Sequence, residues 1–220
     1  MKVVTDKQQT GEWFAARAGK VTASRLYDVM ARSKRDGSPL KARADYMEEL
    51  LDEIGSGETA EHFVSPAMER GIELEPYAIS EYEMKREEEE GVDVLVQPVG
   101  FVLHPTIDGF GASPDGLVGD DGLIEVKCPN TLTHLQTVRT GEINPRYYAQ
   151  MQAQMMCTER LWCDFVSYDP RLSRWPSQKL FIKRVFWDDE FIPEAEAEVM
   201  AFLSELAAMV REMDEREKAS

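Results

Sequence analysis

The sequence predicts an α/β (α+β) fold, a central mixed β-sheet flanked by helices, in one domain of 220 residues. Three observations carry that prediction. Apolar residues recur at helical spacing near both ends of the chain. Between residues 92 and 128 the period changes to short β-prone pieces. No internal repeat or low-complexity linker divides the chain. At 43% hydrophobic and 30% charged, the composition supports a buried core and is unlike a disordered segment.

In order, residues 12–18 and 23–31 read as two short helices. Thr22 or Ser24 is the candidate cap of the second, with Leu26, Val29 and Met30 on one face. Residues 32–39 form a basic loop of turn residues, and a helix over about 42–54 runs into the Gly55-Ser56-Gly57 break. Residues 66–90 are helical and stop at Gly91. Four glutamates, Glu87, Glu88, Glu89 and Glu90, oppose the negative end of that helix dipole, so its last turn is expected to fray. Strands follow at 92–96, 100–103, 111–113, 117–118 and 123–128, separated by Gly, Pro and Asp turns. Asn144-Pro145, a cap with proline at the first helical position, opens a helix to about residue 158. Strands at 161–168 and 180–187 precede a terminal helix over about 193–217.

Composition excludes several classes. No run approaches the ~18 apolar residues of a membrane helix, and the N-terminus lacks an apolar signal region. The protein is therefore expected in the cytoplasm, with no membrane partner. Three cysteines, Cys128, Cys157 and Cys163, lack CxxC spacing and read as ordinary thiols of a reducing compartment. A net charge of −16 argues at first sight against a nucleic-acid partner. The charges are segregated, however. Residues 1–46 hold ten basic and five acidic groups and residues 131–184 eight and four, while 47–100 hold three and sixteen and 185–220 three and eleven. The acids of residues 87–90 and of the terminal helix are expected to face outward.

The most informative stretch is Ser113-Pro114-Asp115-Gly116 followed by Glu125-Val126-Lys127-Cys128. Side chains two apart in a strand face the same way, so Glu125 and Lys127 share one face and Ile124, Val126 and Cys128 the other. An antiparallel return through residues 117–122 brings Asp115 beside Glu125. Two carboxylates bind hard divalent cations through oxygen, and a neighbouring lysine orients a water or stabilises charge on a phosphate. An Asp–Lys–Glu salt-bridge cluster on a solvated edge is the competing reading of the same three residues.

With its surroundings the sequence resembles a known family. Asp115 with Glu125-x-Lys127 looks like the PD-(D/E)xK nuclease core, the restriction-endonuclease-like fold. The ordered motifs Glu12-Trp13-Phe14-x-x-Arg17-x-Gly19, Thr22-Ala23-Ser24, Gly71-x-x-Leu74-Glu75, Ser113-Pro114-Asp115-Gly116, Glu125-Val126-Lys127-Cys128-Pro129, Tyr148-x-Gln150-x-Gln152 and Tyr168-Asp169-Pro170-Arg171 resemble the phage lambda exonuclease, or YqaJ-type viral recombinase, family. The likeness spans about residues 12–187, within a single nuclease domain over 1–220.

That resemblance implies a metal-dependent exonuclease. It would digest one strand of linear double-stranded DNA from 5′ to 3′, releasing mononucleotides and leaving a 3′ overhang for recombination by strand annealing. By similarity, Asp115, Glu125, the Val126 carbonyl and Glu75 become ligands of one or two Mg²⁺ or Mn²⁺ ions, Glu75 directly or through water, and Lys127 orients the water. Arg17, Ser24, Ser113 and Gln150 match a 5′-phosphate pocket, in which a cation and neutral donors grip a phosphate. Met68 matches an apolar wedge against the terminal base pair, with a core position as the alternative. Trp13 stacks on DNA or anchors the core, and Thr22, Lys34 and Arg35 are candidate DNA contacts. His62, His104 and His134 match no motif. The family further implies a ring-shaped homotrimer and a single-strand annealing protein as partner. Two other readings compete: a site-cutting endonuclease of the same core, and an acidic, non-enzymatic DNA mimic.

Overall fold

The computed structural model describes residues 1–5, 7–59 and 65–220. His62 lies outside them. In chain order the helices are α1 (Gly11–Arg17), α2 (Leu26–Val29), α3 (Lys41–Ser56), α4 (Pro66–Glu90), α5 (Thr131–Thr140), α6 (Pro145–Thr158) and α7 (Phe191–Ala219). The strands are β1 (Lys2–Val3), β2 (Val21–Thr22), β3 (Val96–Gln97), β4 (Val102–Leu103), β5 (Phe110–Ala112), β6 (Gly116–Val118), β7 (Gly122–Lys127), β8 (Trp162–Tyr168) and β9 (Leu180–Phe186).

The expected single central sheet is two mixed sheets. One has four short strands in the order β1-β4-β5-β2, the other five in the order β3-β6-β7-β8-β9. In the larger sheet β7 and β8 run parallel and every other pair is antiparallel. Helix α6 covers one face of it, where Met151 and Met155 pack on Leu123, Cys163 and Phe165. On the opposite face Ala78 and Tyr82 of α4 meet Ile124, Val126 and Val166. A second core joins α6 to the smaller sheet and to α2, α3 and α7, through Ala149, Ala153, Phe110, Tyr46 and Phe202. The alternation of β7 is thus resolved by two helices: Leu123, Glu125 and Lys127 face α6, while Ile124 and Val126 face α4.

Several local expectations change. Residues 23–31 are a 3₁₀ turn, Ala23–Arg25, running into α2, and no side chain caps either segment. The hydroxyls of Thr22 and Ser24 instead lie 3.3 Å from each other. The glutamate run does not fray. Helix α4 continues to Glu90 and closes on Gly91 at φ 70°, a left-handed conformation suited to glycine. Lys85 and Arg86 lie one turn earlier and pair with Glu89 at 3.3 and 3.1 Å, which offsets the unfavourable charge.

The acids of α7 do not all face outward either. Glu198 pairs with Arg32 at 2.8 Å and Glu205 with the buried Arg43 at 2.7 Å. In the basic segments Arg25 and Arg146 share Asp28, and Arg171 holds Asp169. Several of these arginines are therefore paired within the fold, although Arg146 and Arg171 remain substantially exposed.

A buried cluster fastens α4 to the larger sheet. Asp164 is fully buried and takes bonds from Arg86 at 2.7 Å, Arg184 at 2.8 Å and the Tyr82 hydroxyl at 2.9 Å. The Arg184 guanidinium also lies 3.5 Å above the Trp162 ring, a favourable cation–π contact. The same ring closes over Gly122, where an added Cβ would sit 2.1 Å from it. Glycine is therefore required where β7 begins. Among the described residues, no helix is long and apolar enough to cross a membrane.

Candidate active site

The β6–β7 hairpin builds the acidic centre. Its register pairs Gly116 with Ile124, which sets Asp115 opposite Glu125. Asp115 Oδ2 accepts the Val126 N–H at 2.7 Å. Glu125 is fully buried. Lys127 Nζ forms an ion pair with Glu125 Oε1, and Gln154 Nε2 donates to Oε2 at 2.6 Å. Oε1 makes no hydrogen bond of good geometry among the described residues. Lys127 also lies 5.1 Å from the centroid of the Tyr147 ring.

A cavity of about 450 Å³ opens beside this centre, with Met68, Arg70, Glu75, Val126, Lys127 and Tyr147 in its wall. Burial raises the Asp115 carboxyl well above the usual range, and the charges of Glu125 and Glu75 add to it against the opposing pull of Lys127. Burial and then Glu125 raise Glu75 likewise. Burial alone would lower Lys127, but Glu125 and Asp115 outweigh it and raise the ammonium. The site thus gathers more carboxylate side chains than its lysine balances, and its buried Glu125 Oε1 is met by the Lys127 ammonium alone among the described residues. That donor set is all oxygen and suits a hard divalent cation. Among the described residues no three Asp, Glu, His or Cys side chains form a metal-holding group. A cation here would therefore complete its shell with backbone oxygen and water.

Two residues upstream, Ser113 links this centre to a second, smaller pocket. Trp13, buried in α1, donates from Nε1 to Ser113 Oγ at 2.9 Å. Arg17 Nη1 donates to the same oxygen at 3.2 Å, and its guanidinium lies 4.2 Å from the Trp13 ring centroid. No carboxylate among the described residues comes within ion-pair distance of Arg17. Asp28 is held by Arg25 and Arg146. Burial lowers Arg17, with Tyr46 and Glu53 acting the other way; a guanidinium stays charged at neutral pH. Arg17, Lys20, Thr22 and Ser24 line a pocket of about 130 Å³, room for a group of a few heavy atoms. Its floor is anchored by Glu53, which accepts the Gly19 N–H at 2.9 Å, and by the Tyr46 hydroxyl, which accepts the Thr22 N–H at 3.1 Å.

The remaining sequence candidates divide. Gln150 is half-buried on α6, the helix that packs against the Ser24 turn, and makes no hydrogen bond among the described residues. Met68 is 50% exposed at the cavity, so it is not a core residue. Trp13 is only 7% exposed, with Arg17 over its ring at the pocket wall, the placement of a buried anchor. Thr22 is buried in the pocket wall. Lys34 and Arg35 are exposed in the turn between Arg32 and Pro39 and line neither cavity. His104 and His134 are buried structural ties: His104 Nδ1 accepts the Ile107 N–H at 3.0 Å, and His134 bridges Ser167 and the Gln178 carbonyl.

Sequence reasoning missed four contributors. Gln8 donates to the Pro114 carbonyl at 2.7 Å and the Val99 carbonyl at 3.1 Å, clamping the turn that carries Asp115. Arg70 donates to the Pro129 carbonyl at the cavity wall. Tyr147 and Gln154 touch Lys127 and Glu125. The only sequence signal for Gln154 is its place in a run of alternating glutamines on α6.

Comparison with known proteins is consistent with this geometry. The family model of the YqaJ-like viral recombinase domain matches residues 12–161. The crystal structure of an alkaline exonuclease, LHK-Exo, from Laribacter hongkongensis is 50% identical, with 96% of this chain and 99% of that chain covered and a TM-score of 0.83. LHK-Exo in complex with dAMP gives 49% identity, the same coverage and a TM-score of 0.84. A phage-related exonuclease from Haemophilus somnus 129PT, at 17% identity, covers 88% of this chain and 96% of that chain with a TM-score of 0.66, and shares the fold. No curated protein matches the chain.

Proposed function

The chain belongs to the YqaJ-like viral recombinase family, and from that premise we propose that it is a metal-dependent 5′-to-3′ exonuclease of linear double-stranded DNA. The observation that carries the reading is the convergence of Asp115, Glu125 and Lys127 at one strand end, with Ser113, two residues before Asp115, bonded to Arg17 of a separate pocket that Ser24 also lines. One site fits the scissile phosphate and the other a terminal 5′-phosphate.

In this reading Asp115, Glu125 and the Val126 carbonyl would hold one or two Mg²⁺ or Mn²⁺ ions, with Glu75 a further ligand directly or through water. Such a cation polarises the phosphate and lowers the pKa of a bound water. Lys127 keeps its proton and orients the attacking water from Nζ. The water oxygen loses a proton to solvent and bonds to phosphorus, the bond from phosphorus to the 3′ oxygen breaks, and that oxygen takes a proton from solvent. Arg17, Ser24, Ser113 and Gln150 grip the 5′-phosphate, so the cut falls one nucleotide from the end. Met68 packs against the terminal base pair as an apolar wedge. The proposal extends to the family's ring-shaped homotrimer, a 3′ overhang, and a single-strand annealing partner in a bacterial cytoplasm.

Linear duplex labelled at either the 5′ or the 3′ ends, alongside closed circular DNA, tests the polarity. Early release of 5′ label, late release of 3′ label and intact circles support it. Cutting of circles as fast as linear DNA would overturn it in favour of an endonuclease.

A further inference from the structure

The three alternating glutamines of α6 hold three different positions. Gln152 points away from the site, donating to the Phe186 carbonyl at 2.8 Å and accepting the Asp188 N–H at 3.1 Å, where β9 passes into α7. Gln150 and Gln154, four residues apart, share the opposite face. Gln150 makes no hydrogen bond among the described residues, whereas Gln154 is fully buried and reaches Glu125 Oε2 at 2.6 Å. Its own carbonyl oxygen lies 4.0 Å from the Cys163 thiol, which donates toward it. Each end of the amide therefore has a different neighbour, and its orientation is fixed.

We propose that Gln154 is the positioning residue of the Glu125 carboxylate, holding Oε2 so that Oε1 is the oxygen presented to a divalent cation. This rests on the metal-dependent reading above. The chemistry favours an amide over the alternatives. An apolar side chain would leave Oε2 buried without a donor. A lysine or arginine would satisfy Oε2 but also neutralise the carboxylate and compete with the cation. A neutral N–H donor fixes the oxygen and leaves the charge for the metal, as carboxylate ligands held by outer hydrogen bonds require. Lys127 already holds Oε1 in a close ion pair, and no neutral donor binds that oxygen among the described residues. That is the oxygen a cation would claim.

The test is calorimetric titration of Mn²⁺ into the DNA-free protein, wild type against Gln154→Met and Gln154→Asn. Methionine keeps the volume without a donor; asparagine keeps the amide but withdraws it by one methylene. The expected result is a Kd weakened about tenfold or more in both. Stoichiometry separates inactive protein from weakened binding, and the asparagine variant serves if the methionine variant does not fold. On DNA, kcat should fall while the preference for 5′-phosphorylated over 5′-hydroxyl ends stays unchanged. Wild-type affinity in either folded variant overturns the proposal. Failure of the wild type itself to bind Mn²⁺ would instead sink the metal-dependent reading, a distinguishable outcome.

Discussion

Asp115 Oδ2 accepts the Val126 N–H at 2.7 Å across the β6–β7 hairpin. The first carboxylate is thereby registered on the backbone of the strand that carries Glu125 and Lys127. A slip of one residue would turn those two side chains to the α4 face and dissolve the centre.

Asp115→Asn keeps the acceptor for Val126 and removes the charge. The fold should persist while Mn²⁺ affinity drops about tenfold or more, read by calorimetry. Unchanged affinity would remove Asp115 from the ligand set.

Arg17→Ala should lower the preference for 5′-phosphorylated ends by about tenfold or more, since a charge-assisted hydrogen bond is typically worth roughly 1.5–3 kcal/mol. Trp13→Phe is the subtler variant. It keeps the ring beneath Arg17 and removes the N–H held by Ser113, so the preference should fall by less, about twofold to tenfold, at a cost near 1 kcal/mol of stability. Competition between phosphorylated and hydroxyl-ended duplexes measures both. An intact preference in Arg17→Ala would mean that the pocket is misassigned.

Asp164→Asn should destabilise the protein by about 1.5–3 kcal/mol, because the partly exposed Arg86 and Arg184 lose the buried carboxylate that they share. The same group sets an acid limit. Burial alone would raise the Asp164 carboxyl, but Arg184 and Arg86 more than offset it and hold it below the usual range. A depressed carboxylate stabilises fully above its unfolded pKa of about 3.9 and loses that contribution as pH falls through the folded value. Urea midpoints should therefore drop below about pH 4 more steeply in the wild type than in Asp164→Asn. Parallel slopes would contradict the assignment.

Glu205→Gln should cost about 1–2 kcal/mol in chemical denaturation. It strands the Arg43 guanidinium, which is 2% exposed, while Glu205 itself is half in solvent and screened. Glu212→Gln, which loses only an exposed pair with Arg216, should change stability by less than about 0.5 kcal/mol. Equal effects would return the α7 acids to a purely outward role.

Features governed by local chemistry were legible in the sequence. Gly91 and Asn144-Pro145 punctuate α4 and α6, and the alternation of residues 123–128 announces a strand buried on two faces. Helix α5 was invisible because Thr131, Thr133, Thr137, Val138 and Thr140 have low helix propensity. It is fixed instead by the Asn130 cap and by Asp169, which accepts from the Thr131 hydroxyl at 2.6 Å. Strands β1 and β2 are two residues each and exist through pairing with β4 and β5. The carboxylate pair of the site spans one hairpin, so spacing revealed it. The bond from Trp13 to Ser113 spans 100 residues and that from Gln154 to Glu125 spans 29. No local pattern encodes either.

The central claim is that the centre around Lys127 is a metal-dependent phosphodiesterase, and nucleotide release from a linear 5′-phosphorylated duplex by wild type and Lys127→Ala tests it most directly. With Mg²⁺, wild type should release mononucleotides and Lys127→Ala almost none, although the variant keeps its fold by circular dichroism. With a chelator neither should act. Release by folded Lys127→Ala at the wild-type rate, or by wild type without any divalent cation, would contradict the account.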